Sequence, residues 1–251
     1  MTETPRETPA AQAAASPVMA APDSRPVLSI IIPIYNEVEL LPKVLEMVRA
    51  LPLRMELILV DDYSTDGTRD ILKGEESVPG TRVLYHDRNR GKGAGIVTGL
   101  AAATGDVVIV QDADLEYDPR EIPGIVEPIF AGKANVAFGS RFMGKVTGMK
   151  FPNRVANWLL SRMVSVLYGQ KITDEATAYK AFRRELIQGL DLKCQRFEFC
   201  PEVTAKVLRR GEHIHEVPIT YNARTFEEGK KIGYKDFFVA VDNLWKFRNW
   251  K

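Results

Sequence analysis

Short runs of apolar, mostly β-branched residues recur along the chain from residue 27 onward, and longer amphipathic or small-residue stretches separate them. The first run, VLSIIIPI at 27–34, has little polar alternation, which is typical of a strand that is buried on both faces. The same pattern predicts further strands at residues 55–62, 81–86, 106–111 and 134–140. Strands that alternate with helices predict a mostly parallel α/β sheet with right-handed crossovers.

The segments between these strands carry helix signals. Asn36 is placed to cap a helix whose apolar residues lie at helical spacing over 40–48. The sequence Ser-Thr-Asp-Gly at 64–67 supplies a turn and a cap for a second helix. A small-residue helix is predicted over 93–103, and Pro119 opens another.

Beyond residue 150 the pattern predicts an amphipathic helix at 152–169, a strand at 177–182, a helix at 198–211 and a strand at 213–221. The last segment, 234–251, places aromatic residues on one helical face and basic residues toward its end. Two interpretations of this last helix stay open. It packs on the core, or it lies on a membrane surface or a partner, because aromatic and basic residues together suit such an interface.

Residues 1–26 are rich in Ala, Pro and Thr and poor in large apolar side chains, so we expect a disordered leader. Prolines interrupt the apolar core that a secretory signal would need. No apolar run approaches the roughly 18–20 residues of a membrane span, so an integral membrane protein is not expected. The 34 basic and 33 acidic residues also argue against binding to nucleic acid through bulk charge.

Cysteine usage indicates a reducing compartment. The chain has two cysteines, Cys194 and Cys200, which cannot form a disulfide framework. They also lack the spacing of a zinc site.

Polar clusters follow four of the predicted strands: residues 33–37, Asp61-Asp62, residues 89–93 and Asp112-Ala113-Asp114. In an open parallel sheet, ligands bind beyond the carboxyl ends of the strands. Side chains two residues apart in an extended segment point the same way, so Asp112 and Asp114 can face one hard cation. Glu116 is placed to add a third oxygen. Mg²⁺ or Mn²⁺ is the predicted cofactor.

The glycine-rich segment NRGKGAG at 89–95 does not match two common nucleotide-binding motifs. Its spacing is not that of a P-loop, and it follows the third strand, where a dinucleotide fingerprint would follow the first. Its glycines predict close backbone approach to a ligand, with Lys92 adding positive charge.

The ordered motifs PIYNE (33–37), DDYSTDGT (61–68), NRGKGAG (89–95), QDADLEYDP (111–119) and GSR (139–141) together resemble family 2 glycosyltransferases. The similarity is greatest to the dolichyl- or polyprenyl-phosphate mannose or glucose synthases, and it leaves out only the leader. Two departures lie on the acceptor side. Many of these synthases have aspartate, then Thr-Gly and an aromatic residue, where this chain has DEATAY at 174–179. Many also have Ser-Lys-Leu where this chain has Lys-Lys-Ile at 230–232.

The resemblance implies a single domain of GT-A type with a mostly parallel central sheet flanked by helices. Its Rossmann-like nucleotide-sugar half would be residues 27–141 and its acceptor-side half residues 142–232, followed by a C-terminal amphipathic helix at 233–251. The implied reaction is an inverting, metal-dependent transfer of a hexose from GDP-mannose or UDP-glucose to polyprenyl phosphate. The implied location is cytoplasmic, peripheral to the cytoplasmic face of a membrane, with a membrane-protein partner as an option.

The resemblance also implies which residues form the site. The nucleotide-sugar would be held by Pro33, Tyr35, Glu37, Asp61, Asp62, Lys92, Asp112, Ala113, Asp114, Arg224 and Lys231. The metal would be held by Asp112, Asp114 and Glu116, and the acceptor phosphate by Arg141 and Arg154. The residues implied to act in catalysis are Asp112, Asp114, Arg141 and Lys231.

The nature of the acceptor stays open between two chemistries. A hydroxyl acceptor, as in polysaccharide, glycolipid or glycoprotein assembly, needs a general base, for which Asp174, Glu198 and Glu202 are candidates. A lipid phosphate is already ionised and mainly needs cations that position it. A third hypothesis is a nucleotide-sugar-binding module without catalytic activity.

Overall fold

A computed structural model describes residues 27–223 and 233–250 of the chain. These residues form one seven-stranded sheet in the order β3-β2-β1-β4-β6-β5-β7. The strands are β1 Leu28–Ile34, β2 Met55–Asp61, β3 Thr81–Tyr85, β4 Val107–Val110, β5 Val136–Thr147, β6 Lys180–Arg183 and β7 Ile214–Asn222. β6 runs antiparallel to both of its neighbours, and the other pairs are parallel. The predicted mostly parallel sheet is therefore confirmed.

Helices cover both faces of the sheet, which places one apolar layer on each side. They are α1 Leu41–Arg49, α2 Thr68–Glu75, α3 Lys92–Ala102, α4 Ile122–Phe130, α5 Phe151–Tyr168, α6 Arg184–Gln188, α7 Phe199–Arg209 and α8 Tyr234–Lys246. Short 3-10 turns cover Pro119–Glu121 and Phe247–Asn249. Among the described helices, none has the length and apolar character needed to cross a bilayer.

The strand order explains where a ligand site forms. The chain leaves β1 for β2 and β3 on one side of the sheet, and then returns to β4 on the other side of β1. The order therefore reverses between β1 and β4, and in open α/β sheets such a switch point opens a crevice at the carboxyl ends of the strands. The segments 33–37 and 112–116 follow these two strands.

Three local predictions differ from the structure. Asn36 does not cap α1, because the helix begins at Leu41 and its N-cap, Leu40, makes no side-chain hydrogen bond to it. Asn36 Oδ1 instead accepts a hydrogen bond of 2.8 Å from the backbone N–H of Thr65. β5 continues past its predicted end to Thr147, because its polar extension pairs with β7. The short helix α6 was not predicted.

The C-terminal helix α8 packs on the core through one face. Ala240 and Leu244 are buried in the apolar layer that also contains residues of α5 and α7. The Tyr168 hydroxyl donates a hydrogen bond of 2.5 Å to the Leu244 carbonyl. Phe238 and Trp245, predicted on the same face, are exposed. Packing on the core therefore accounts for part of the aromatic pattern of this segment.

α3 lies close to β1 because it presents a glycine at the contact. A Cβ added at Gly99 would overlap the side chain of Ile31. Gly74 in α2 is exposed, and a Cβ added there would meet nothing within 4 Å. Both glycines lie in helices, but only Gly99 is closely packed, so Gly74 serves as its control.

Gly99→Ala is expected to lower the free energy of unfolding by about 1–3 kcal/mol, because the added methyl group overpacks the helix–sheet contact. Gly74→Ala is expected to raise it by about 0.5–1 kcal/mol, because alanine favours the helix and nothing obstructs it. Urea denaturation of both variants measures the difference. Equal effects of the two changes would contradict close packing at Gly99.

Candidate functional site

The loops that follow β1, β2 and β4 each contain a non-glycine residue in the left-handed region. These residues are Asn36 with φ +53°, Tyr63 with φ +70° and Leu115 with φ +58°. Such conformations cost free energy and persist where surrounding contacts enforce them, often at functional sites. The backbone is therefore unusual at the edge where the sequence predicts the site.

Asp61 holds the loop after β2. Its carboxylate is fully buried and accepts hydrogen bonds from the backbone N–H groups of Tyr63 and Ser64. It also accepts a hydrogen bond of 2.6 Å from Arg69 Nε. Asp61 thus fixes the shape of the loop that the resemblance assigns to the nucleotide.

Asp62 ties the loop after β2 to the glycine-rich segment. One carboxylate oxygen lies 2.7 Å from His86 Nδ1 and accepts a 2.7 Å hydrogen bond from the Arg90 N–H. The other accepts a 2.7 Å hydrogen bond from the Gly91 N–H. Sequence analysis missed His86, which is buried and also lies 3.0 Å from the Thr98 hydroxyl. The position of His86 directly after β3, at the carboxyl end of a parallel strand, could have indicated that it belongs to the site.

The amides at the start of α3 are already used within the fold. The N–H of Gly93 donates to the Arg196 carbonyl at 2.8 Å, and that of Ala94 donates to the Gln195 carbonyl at 2.9 Å. A Cβ at Gly93 would come within 2.9 Å of the same backbone segment. The prediction that this glycine run frees backbone amides for a ligand is therefore wrong for these two amides. The glycines allow residues 195–196 to pack here.

Lys92 provides positive charge beside the first carboxylate of the Asp-x-Asp pair. Its ammonium lies 2.7 Å from Asp112 Oδ1 and donates a hydrogen bond of 2.8 Å to Oδ2. Although Oδ1 is close to the ammonium, it is buried and accepts no hydrogen bond from the described residues. Burial alone would lower the pKa of Lys92, but the negative charge of Asp112 raises it above its usual value. Oδ1 is therefore the atom of Asp112 that a further cationic ligand would share with Lys92.

Asp114 lies in a crowded anionic setting. Burial, together with the nearby Asp112 and Glu116 carboxylates, raises its pKa to about 7. Glu116 accepts a hydrogen bond of 2.9 Å from the Tyr221 hydroxyl. Within the part of the chain described here, no three His, Cys, Asp or Glu side chains converge as a metal cluster. Asp112 and Asp114 fit a Mg²⁺ or Mn²⁺ ion that takes its other ligands from water and phosphate.

The other residues assigned to the donor line the same edge. Tyr35 is partly exposed, and Ala113 is buried. The N–H of Glu37 donates a hydrogen bond of 3.1 Å to the Thr68 hydroxyl. A Cβ at Gly95 would lie 3.3 Å from Pro33 Cβ, which places Pro33 against α3. Arg224 and Lys231 lie outside the described residues.

Arg141 is locked to Asp174, which lies in the half that the resemblance assigns to the acceptor. Arg141 Nε and Nη2 donate to the two Asp174 oxygens at 2.7 Å each, and the Arg141 N–H adds a third bond of 2.9 Å. Both residues are buried, and the guanidinium carbon lies 5.0 Å from the ring centre of Tyr221. Asp174 raises the pKa of Arg141 although burial opposes the charge. Its charge is therefore already balanced inside the protein.

The three candidate general bases are also engaged. Asp174 holds Arg141, and Glu198 accepts hydrogen bonds from the backbone N–H groups of Gln195 and Arg196. Glu202 is buried and accepts a hydrogen bond of 2.6 Å from Lys206 Nζ. Their present contacts are structural.

A comparison with protein families matches residues 29–190 to the family described as Glycosyl transferase family 2. The chain is 29% identical over 230 residues to dolichol-phosphate mannosyltransferase of Pyrococcus furiosus, a match that covers 89% of this chain and 64% of that protein. It is 30% identical over 212 residues to undecaprenyl-phosphate mannosyltransferase of Micrococcus luteus, covering 81% of this chain and 86% of the relative. The chain thus spans slightly less than two thirds of the Pyrococcus protein.

Solved structures show the same fold at lower identity. The match to glucosyl-3-phosphoglycerate synthase from Mycobacterium tuberculosis, solved in complex with Mn²⁺, UDP and phosphoglyceric acid, has a TM-score of 0.70. The two are 20% identical, and the match covers 89% of this chain and 79% of the other. The fold is therefore of GT-A type. Together with the family match over most of the sheet, these findings show that the chain belongs to glycosyl transferase family 2.

Proposed function

We propose that this protein transfers a hexose from a nucleotide-sugar, GDP-mannose or UDP-glucose, to the phosphate of a polyprenyl lipid at a membrane surface. We choose a phosphate acceptor because of how the acidic and basic side chains of the acceptor-side half are placed. Its three candidate bases are held in structural contacts, while Arg154 is exposed without an ion pair to any described residue. A phosphate acceptor needs a cation and no base. The names of the relatives support the same class of acceptor.

On the donor side, the proposal assigns Asp112 and Asp114 to a divalent metal, with Glu116 as the third candidate. A bound Mg²⁺ or Mn²⁺ would neutralise charge that develops on the leaving diphosphate. Lys92 lies against Asp112 and supplies a second positive charge at this point. Arg224 and Lys231 remain proposed contacts to the diphosphate.

Asp61 and Asp62 act in this proposal by shaping the nucleotide site. Their carboxylates accept backbone hydrogen bonds from both adjoining loops. Tyr35, Glu37 and Pro33 line the same edge, and the partly exposed Tyr35 ring is placed to pack against a base or ribose.

On the acceptor side, an ionised phosphate oxygen attacks the anomeric carbon from the face opposite to the diphosphate. The new bond joins that oxygen to the anomeric carbon, the bond from the same carbon to the diphosphate oxygen breaks, and the configuration inverts. The attacking oxygen carries no proton, so no base is consumed. Arg154 contacts the acceptor phosphate, and Arg141 acts as a positioning residue that holds Asp174 against the middle of β5.

The donor and acceptor are tested together with a panel of GDP- and UDP-sugars, Mg²⁺ or Mn²⁺, and either a short-chain polyprenyl phosphate or the matching polyprenol. We expect sugar transfer with the phosphate and none with the alcohol. Transfer to the alcohol, or to other hydroxyl acceptors alone, would contradict the phosphate assignment and leave the donor half intact. Donor binding without any turnover would favour a module without catalytic activity.

Asp114→Asn is expected to reduce metal-dependent transfer by at least about 100-fold, because stabilisation of transition-state charge is lost. The matched control is Asp118→Asn, four residues along, whose carboxylate pairs with Arg120 on the surface. Initial rates and urea denaturation of both variants separate catalysis from folding. Normal turnover by a folded Asp114→Asn protein would refute the metal assignment.

Arg154→Ala is expected to raise the KM for polyprenyl phosphate by about 10-fold, because one charge-assisted contact is lost. The Kd for the nucleotide-sugar, measured by calorimetry, should stay unchanged. Lys133→Ala, which removes an exposed cation beside Glu127, serves as the control and should change neither value. An equal loss in donor and acceptor binding would contradict the assignment of Arg154.

A further inference from the structure

A groove of about 440 Å³ runs between one side of α5 and residues 171–173, with Phe142 at its wall. Three basic residues line it: Arg154 near the start of α5, Arg162 two turns later, and Lys171 on the opposite side. We call this feature the α5 groove. Arg162 and Lys171 play no part in the function proposed above.

The basic side chains of the α5 groove have no counter-charge among the residues that the structure describes. All three residues are exposed, and over residues 27–223 and 233–250 none of their side chains makes an ion pair or hydrogen bond. Arg141, the neighbouring cation, is by contrast fully paired with Asp174. The protein as a whole carries a net charge of only +1, so these cations form a local feature and do not reflect a general excess.

Arg154 and Arg162 are too far apart along α5 to share one phosphate group readily. Eight residues of α-helix span about 12 Å, and side chains on a helix lean in the same direction, so the two guanidinium groups stay apart. If Arg154 holds the acceptor phosphate, Arg162 and Lys171 face a different anionic group.

The outer face of α5 is apolar and uncovered. Phe151 is 77% exposed, Trp158 59% and Val166 76%, and Val155 and Leu159 are also exposed. At 100° per residue these five side chains fall within one stripe, and Arg162 lies inside it. We call them the α5 stripe. Only Leu160, Ser161 and Val164 of the helix are buried. The sequence suggested a membrane-facing surface at the C-terminal helix, whereas α5 exposes more large apolar side chains among the described residues.

We propose that the Arg162–Lys171 end of the α5 groove binds the phosphate headgroup of an anionic bilayer lipid while the α5 stripe enters the membrane interface. A bilayer lipid has a phosphate headgroup attached to hydrocarbon chains. The cations of the groove match the phosphate, and the adjoining α5 stripe matches the hydrocarbon. A soluble phosphate would use the cations and leave the stripe uncovered. A symmetric second copy on the same face would bring these cations against each other, because no carboxylate of the described residues lines the groove. The bound lipid is distinct from the acceptor and is not consumed.

The test measures binding of the full chain to vesicles of phosphatidylcholine alone or mixed with phosphatidylglycerol, with no polyprenyl phosphate present. The variant Arg162→Glu/Lys171→Glu reverses two charges of the groove. The control Lys43→Glu/Lys73→Glu reverses two exposed lysines on α1 and α2, so the change in net charge is the same. Binding to the anionic vesicles should fall at least about 20-fold in the groove variant, since each basic residue near an anionic surface contributes about fivefold. The control should bind almost as well as the unmodified protein.

Val166→Asp tests the stripe separately. Its side chain is exposed, so the change should preserve folding while reducing binding to the same vesicles about 10-fold or more, because a charge replaces inserted apolar surface. Equal losses for the groove variant and the lysine control would overturn the proposal, as would unchanged binding in either α5 variant. Release of the protein from vesicles by millimolar glycerol phosphate would assign the groove to a soluble phosphate. A dimer in sedimentation velocity that Val166→Asp dissociates, without vesicle binding, would assign the stripe to a second copy.

The vesicle experiment separates this inference from the proposed transfer reaction. Because the vesicles contain no acceptor, binding that depends on the groove stands even when the acceptor assignment fails. If the Arg162→Glu/Lys171→Glu variant still transfers sugar to a detergent-solubilised polyprenyl phosphate at the normal rate, the two anion sites are separate. Loss of that transfer in proportion to vesicle binding would contradict this separation.

Discussion

The site depends on the need to satisfy buried carboxylates. Asp61 and Asp62 lie next to each other at the end of β2 and are almost inaccessible to solvent. A buried charge is tolerated only with hydrogen bonds or a counter-charge. Arg69, His86 and backbone amides of two loops provide these contacts. The same bonds that solvate the carboxylates therefore fix the loops after β2 and β3, and with them the position of Lys92 beside Asp112.

The acceptor-side half follows the same rule with a different pair. Asp174 is buried, and Arg141 reaches it from the middle of β5 through three hydrogen bonds. Removing one partner of such a pair strands the other charge and costs about 3–5 kcal/mol, so this contact stabilises the junction of β5 with the segment before β6. Arg141 thus positions the acceptor half from inside, while the exposed cations of α5 remain available to ligands.

The sequence allowed the sheet and the edge of the site to be predicted, because both depend on local patterns. Buried parallel strands read as apolar runs, and carboxylates that follow them meet at one edge, as Asp62 and Asp112 do. It did not allow contacts between distant segments to be predicted. Gly93 packs against residues 195–196, about a hundred positions away, and no local signal links them. The periodicity of apolar residues also predicted that the helix at 152–169 is amphipathic. It did not indicate that the large apolar side chains of α5 are exposed and do not pack on the core.

The distribution of charge in the acceptor half argues for its chemistry. Three of its carboxylates lie inside and serve the fold: Asp174 binds Arg141, Glu202 binds Lys206, and Glu175 is fully buried with burial raising its pKa. A buried acid with a raised pKa is neutral over a wider range of pH and is not in contact with solvent. The cations of the α5 groove lie outside. At the α5 groove the exposed side chains include three cations, whereas the nearby Asp174 and Glu175 are buried. This arrangement favours substrates that arrive already ionised, and a phosphate at the headgroup level of a membrane is such a substrate.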